Sequence, residues 1–221
     1  MTMPGLDDTV QKELLEVYNL EGNPLGPLER DVFYRQTTQE FERDGTINRM
    51  VKSIRMLLLN PAGRVYLQER SIEKSENPGL LDKTVGGHVT AGVSYDLTLV
   101  KECAEELGLP AAVVSTHEFD TAVRSIDLKV IALCRDIEYI APFNSVRIMQ
   151  DGSRFVQPFM STFYIGYYDG AIRFADGESS GIKVLSLEQL SNQIRTNPNL
   201  FTEDLKFMIE RYESHLRPLR A

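Results

Sequence analysis

Gly86-Gly87-His88-Val89-Thr90-Ala91-Gly92-Val93-Ser94 runs directly into Tyr95-Asp96-Leu97-Thr98-Leu99-Val100-Lys101-Glu102-Cys103-Ala104-Glu105-Glu106-Leu107-Gly108. A glycine-rich loop feeding a helix is the reading that decides the fold. Ser94 is a good N-cap, because its hydroxyl can accept from a free backbone N–H of the first turn. Asp96 sits where the helix dipole favours an anion, and Gly108 before Pro110 is a natural left-handed stop. At about 100° per residue, Glu102, Glu105 and Glu106 share an arc of roughly 100°. Leu97, Val100, Cys103, Ala104 and Leu107 lie opposite, so the spacing predicts one packed face and one face that gathers three carboxylates.

Three carboxylates held that close repel one another. They make either a solvated acidic face or a site for a hard cation that bridges to a phosphate. The glycines favour the second reading. Gly86, Gly87 and Gly92 permit backbone conformations closed to other residues and let backbone groups approach a ligand.

Laid on Gly87, the segment resembles the box of the Nudix hydrolase family over 23 consecutive residues, Gly87 to Leu109. That box reads Gly, five residues, Glu, seven residues, Arg-Glu, an aliphatic residue, any residue, Glu-Glu, any residue, Gly, aliphatic. Glu102, Cys103, Glu105, Glu106, Gly108 and Leu109 fill fixed positions. Val93 stands where the family has its first Glu, and Lys101 where it has Arg. The resemblance implies an α/β (α+β) fold, a Nudix-type α/β/α sandwich with a mixed β-sheet. It implies a hydrolase that cleaves a diphosphate bond in a nucleoside diphosphate linked to another moiety, with Mg²⁺ or Mn²⁺ as cofactor. Glu102, Glu105 and Glu106 would be the catalytic and metal-binding set, with a backbone carbonyl at Gly86 or Gly87 completing the shell. Since the first Glu and the Arg of the box are thought to pair, Val93 and Lys101 imply that this pairing is absent. Val93 then packs at the loop–helix joint, and Lys101 is a solvated charge.

Composition bounds the rest. The chain has 221 residues, with 42% hydrophobic and 25% charged residues, ordinary for a globular protein. Net charge is −8, which argues against a nucleic-acid partner held by a basic face. The first ten residues carry two Asp and no apolar core of a signal peptide, and no apolar run is long enough for a membrane span. Cys103 and Cys134 read as buried thiols, in keeping with a reducing cytoplasm. The three histidines, His88, His117 and His215, are scattered and have no zinc spacing with the cysteines.

In chain order, residues 13–30 predict a hairpin turning at Glu21-Gly22-Asn23-Pro24, and Asp31 to Phe41 a short helix. This N-terminal hairpin extension resembles that of Nudix proteins related to isopentenyl-diphosphate isomerase. It reads as a structural cap or a homodimer surface. Val51 to Leu59 is an apolar strand; after Asn60-Pro61-Ala62-Gly63 the next strand ends at Leu67-Gln68-Glu69-Arg70. Arg70 is either a phosphate contact or a surface arginine. Ser115 to Val123 and Leu128 to Cys134 are expected as strands. Residues 138–158, with Pro142, Asp151-Gly152 and Pro158, read as an irregular insertion and a candidate substrate loop. Phe159 to Tyr168 is a further strand. Ser186 and Gln189 form a capping box, and a last helix is expected from about Glu203 to Leu216. The expected division is an extension over 1–49, a catalytic domain over 50–195 and a C-terminal helix over 196–221. By resemblance, Glu178 is a candidate base outside the box and joins Arg70 and His88 as candidate substrate-binding residues.

Two alternatives stand beside the hydrolase. One is a non-catalytic Nudix-like module that binds a nucleotide sugar. The other is isopentenyl-diphosphate isomerase, whose protonation chemistry uses a cysteine just before the box and several histidines at its metal. Here Asp82-Lys83-Thr84-Val85-Gly86-Gly87-His88 has no cysteine, and His88 matches only one histidine.

Overall fold

A computed structural model describes residues 13–173 and 179–219. In order, the strands are β1 (Leu14–Asn19), β2 (Pro24–Glu29), β3 (Arg49–Leu59), β4 (Arg64–Arg70), β5 (Leu81–Asp82), β6 (Val85–His88), β7 (Ala111–Val113), β8 (Ala132–Ile148), β9 (Arg154–Tyr167) and β10 (Ser179–Ser186). The helices are α1 (Arg30–Asp44), α2 (Tyr95–Leu107), α3 (Thr116–Ser125), α4 (Leu187–Thr196) and α5 (Glu203–Tyr212). The strands form one mixed sheet with the path β10-β4-β3-β9-β8-β7. β3 runs parallel to β9, and β7 parallel to β8. The N-terminal hairpin adds to the same sheet, with Val17 of β1 opposite Val51 of β3.

β3 sits at the centre and shows why the molecule is layered. Its residues alternate faces. Ile54, Met56 and Leu58 meet Leu99, Cys103 and Leu107 of α2. Leu57 and Leu59 turn to the other side, with Leu190 of α4, Leu205, Met208 and Ile209 of α5, and Phe119 and Val123 of α3. Two cores on one sheet make the α/β/α sandwich. A third cluster, Leu15, Val17, Phe33, Val51 and Phe159, fastens the hairpin and α1 to the sheet.

Three expectations are corrected. Most of residues 115–123 is helical, in α3 from Thr116: Phe119 and Val123, four apart, are the buried pair of α3 while Glu118 and Asp120 face out. Helical spacing outweighs the β propensity of the Thr and Val there. The strand expected from Leu128 begins at Ala132, and the turn before it buries Leu128. The irregular insertion at 138–158 is instead the body of the β8–β9 hairpin, turning at residues 149–153. Register shifts between Asp136 and Glu138 and between Ile140 and Phe143 absorb Pro142, which has no N–H to give a ladder.

Candidate active site

α2 is bounded by local chemistry. Ser94 Oγ accepts from the Leu97 N–H at 3.2 Å, and Gly108 closes the helix at φ 62° with its N–H on the Cys103 carbonyl. The Asp96 carboxylate accepts from the Tyr164 hydroxyl at 2.7 Å, which ties the first turn to β9. Glu16 of the hairpin accepts from the Gly92 N–H at 3.2 Å, so the extension also holds the loop before α2. Hydrogen bonds from Lys52 and Tyr18 hold the Glu16 carboxyl down at about 2.

The glycines do something other than form a loop. Gly86 and Gly87 lie in β6, paired with Arg55 and Ile54 of β3. Gly87 faces α2, and a Cβ there would stand 2.9 Å from Glu102 Cγ and closer still to its carboxyl. The missing side chain is the space that Glu102 occupies. Packing against a glycine strand also sets the rotation of α2. Its buried residues are Thr98, Leu99, Cys103, Glu106 and Leu107, while Leu97 is 58% exposed and Ala104 is exposed. The packed face is therefore turned from the expected one, toward Glu106.

The three box glutamates have three environments. Glu102 is half-buried against Gly87, Glu106 is buried one turn further on, and Glu105 is exposed with its carboxylate 3.7 Å from Lys101 Nζ. Among the described residues, no three His, Cys, Asp or Glu side chains stand together closely enough to hold a metal ion. The oxygen chemistry still suits a hard cation: carboxylates at Glu102 and Glu106 beside the exposed backbone of a glycine strand. Glu105 can turn toward them at small cost, since it is exposed and held only by a surface pair worth under ~1 kcal/mol. Val93 is half-buried against the α2-side core, and Lys101 is exposed.

His88 points to the sheet's other face. It is half-buried; its Nε2 and the Tyr34 hydroxyl share a short hydrogen bond, and its ring packs near Phe159. Burial, then the charges of Arg147, Arg30, Arg55 and Lys83, push its pKa well below the ordinary value. Arg70 is turned inward, donating to the Glu76 carbonyl at 2.8 Å and to Asp82 at 3.3 Å. Glu178 lies outside the described residues.

Around His88 runs a buried polar network that local sequence patterns do not reveal. Arg55 Nε donates to Asp204 of α5 at 2.9 Å, while Arg55 Nη1 donates to Ser161 at 2.6 Å. Its guanidinium lies 4.5 Å from the Phe143 ring centre and 4.9 Å from that of Phe159. Lys83 reaches Asp82 at 3.2 Å and Asp204 at 3.6 Å. A sequence signal for it is Arg55, a charged residue at the middle of the run Val51 to Leu59, which also holds Lys52 near its start. No helix among the described residues is long and apolar enough to cross a membrane.

A family model described as the NUDIX domain matches residues 50–205. An uncharacterized Nudix hydrolase of Pseudomonas aeruginosa is 34% identical over 105 residues, which is 48% of this chain and 56% of that protein. An isopentenyl-diphosphate Delta-isomerase of Nocardia farcinica is 33% identical over 81 residues, 34% of this chain and 46% of that protein. The match spans about half the length of these curated relatives. A crystal structure from Deinococcus radiodurans superposes with a TM-score of 0.61 at 22% identity, covering 90% of this chain and 98% of that one. That likeness speaks to the fold.

Proposed function

This chain belongs to the Nudix family, and from that premise we propose that it is a divalent-metal-dependent hydrolase cleaving a diphosphate bond in a nucleoside diphosphate derivative. The observation that carries the reading is the Glu102 carboxyl lodged against Gly87, with Glu106 buried one helical turn on. A carboxylate that needs a side-chain-free strand beside it is positioned, not merely solvated. Glu102, Glu106 and, after a side-chain rotation, Glu105 would hold Mg²⁺ or Mn²⁺ with the backbone at Gly87. When bound, the cation supplies shielding of the phosphate charge and a more acidic attacking water. The chain's own part is to fix the carboxylates through the capped ends of α2 and the Asp96–Tyr164 hydrogen bond. At a net charge of −8 the protein itself offers little attraction to an anionic substrate, which is consistent with a cation requirement.

The isomerase reading fits less well. Cys103 and Cys134 are both fully buried in the core between α2 and the sheet, so neither meets a substrate, and the hydrogen bond with Cys134, then burial, raises the Cys103 thiol well above its ordinary pKa. The outward Glu105, paired with Lys101, is the observation that favours a non-catalytic nucleotide-sugar binder.

Phosphate release from a panel of nucleoside diphosphate derivatives, with Mg²⁺ or Mn²⁺ and again in chelator, separates these readings. Glu105→Gln changes an exposed side chain and should leave melting unaltered while removing most turnover; Glu106→Gln should do the same to turnover. Full activity in chelator or in both variants contradicts the proposal, and binding without turnover by the parent chain supports the binding module.

A further inference from the structure

The turn at residues 90–93, just before α2, is held from outside the matched segment. It closes with the Val93 N–H on the Thr90 carbonyl at 3.0 Å, and Gly92 at its third position has φ 79°. A positive φ there is the mark of a type II turn and favours glycine. Such a turn fixes its own shape but not its place on the sheet. Neighbouring amides do that. Val89 N–H donates to the Lys52 carbonyl of β3 at 3.0 Å, Ala91 N–H to the Leu14 carbonyl of β1 at 2.7 Å and Gly92 N–H to the Glu16 carboxylate at 3.2 Å. Leu14 and Glu16 belong to the N-terminal hairpin, which lies before residues 50–205.

Glu16 is set in place for this contact. Alternate residues of a strand share a face, so Val17 enters the cluster that fastens the hairpin while Glu16 and Tyr18 project to the other side. Glu16 Oε2 accepts from Lys52 Nζ at 2.6 Å and from the Tyr18 hydroxyl at 2.6 Å. Lys52 Nζ also lies 5.3 Å from the centre of the Tyr18 ring, so these partners brace one another across β1 and β3. With Oε2 taken, Oε1 is the oxygen that meets the Gly92 N–H. The same donors keep the carboxyl ionised, and an ionised acceptor binds a backbone N–H more strongly than a neutral one.

The box supplies an apolar side chain at this joint. Val93 packs into the α2-side core, and Lys101 is exposed with its Nζ 3.7 Å from Glu105. Gly92 stands two residues before Ser94, the N-cap of α2. A displaced turn therefore displaces the start of the helix, and a rigid helix carries that shift to Glu102 in its place against Gly87. Asp96 ties the first turn of α2 to Tyr164 of β9, and Glu16 ties the preceding turn to the hairpin.

We infer that Glu16 is a positioning residue for the metal site: braced by Lys52 and Tyr18, its carboxylate holds the Gly92 N–H and so sets where α2 begins and where Glu102 meets Gly87. The inference rests on the hydrolase reading. It makes the N-terminal hairpin a working part of the site, through a residue that lies outside the box and outside the matched segment.

The test uses the full chain. Glu16→Ala removes the acceptor but leaves the backbone pairing of β1 with β3. In chelator, hydrogen exchange of the amides at residues 91–93 should quicken by about tenfold. Mn²⁺ binding, followed by calorimetry, should weaken by about tenfold, and kcat on a substrate from the phosphate-release panel should fall by about tenfold or more with KM within about threefold. The double variant Glu16→Lys with Lys52→Glu keeps an ion pair between the strands but sets a donor against the Gly92 N–H. It should melt closer to the parent than Glu16→Ala and recover neither kcat nor Mn²⁺ affinity. Val17→Ala loosens the same hairpin from its other face; it should lower Tm while kcat and Mn²⁺ affinity, measured well below melting, stay within about twofold of the parent. Parent-like kcat and Mn²⁺ affinity in Glu16→Ala, their recovery in the double variant, or an equal loss in Val17→Ala would each overturn the inference. If the parent chain binds Mn²⁺ but turns over no diphosphate, the hydrolase reading falls, and Mn²⁺ affinity across the same variants decides on Glu16 by itself. A parent that binds no Mn²⁺ overturns both.

Discussion

Adding one methyl group at Gly87 separates the position of Glu102 from the stability of the fold. In Gly87→Ala the new Cβ would lie 2.5 Å from Glu102 Cδ, whereas ordinary van der Waals contact begins at 3.4 Å. The carboxyl group must therefore withdraw by about 1 Å. It is the far end of a flexible, half-buried side chain, so the backbone need not move. A shifted rotamer costs about 0.5–1.5 kcal/mol. The lost backbone freedom of the unfolded chain returns about 0.4–1 kcal/mol, because Gly87 does not sit at positive φ. The two nearly cancel, and Tm should stay within about 4 °C of the parent. Turnover is another matter. A displacement of about 1 Å in a reacting geometry is worth on the order of a hundredfold, or ~2.7 kcal/mol of barrier. Thermal melting and metal-supported phosphate release on the same preparation make the comparison. A Gly87→Ala protein that melts normally and keeps full turnover would refute the reasoning that Glu102 is placed by the glycine strand. One that unfolds outright would show that the close approach of α2 to β6 is structural in origin.

Asp204→Asn leaves Arg55 buried without its counter-charge and should cost roughly 3–5 kcal/mol, read as a fall in Tm of about 10 °C or more. In the parent, burial raises the Asp204 pKa, but Arg55 and Lys83 more than offset this and hold it well below the ordinary 3.8. The unfolded chain therefore takes up this proton first. The contribution is complete above about pH 5 and drains as pH falls toward the folded value, so acid titration of Tm should be shallower in Asp204→Asn. Cys103→Ser buries a hydroxyl among the apolar residues under α2 and should cost about 1–3 kcal/mol while a folded preparation keeps its turnover; a folded but inactive variant would return a chemical role to that thiol.

Much of the fold was legible because its signals are local. The bounds of α2 follow from Ser94 and Gly108, and the Ser186–Gln189 capping box starts α4 as expected. The hairpin turn at 21–24, the apolar run of β3 and the buried, unpaired cysteines were equally plain. Each depends on residues within a few positions of one another. Helix 116–125 and the β8–β9 hairpin were misread because Thr, Val and Pro carry propensities that tertiary packing overrules.

The candidate site divides in the same way. Sequence alone determined which glutamates share a helix, since their spacing and the 3.6-residue turn are enough. Only the tertiary structure decided which of them faces inward, because that depends on what packs against α2. The partner is a strand whose glycine leaves room for Glu102, so Glu106 is buried and Leu97 is left in solvent. Likewise, His88 meets Tyr34 from 54 residues away, and Arg55 meets Asp204 from 149 away. Local periodicity carries no information about such pairs; they form because the sheet brings both partners to one face, where a buried charge or ring nitrogen must find a counterpart in place of water.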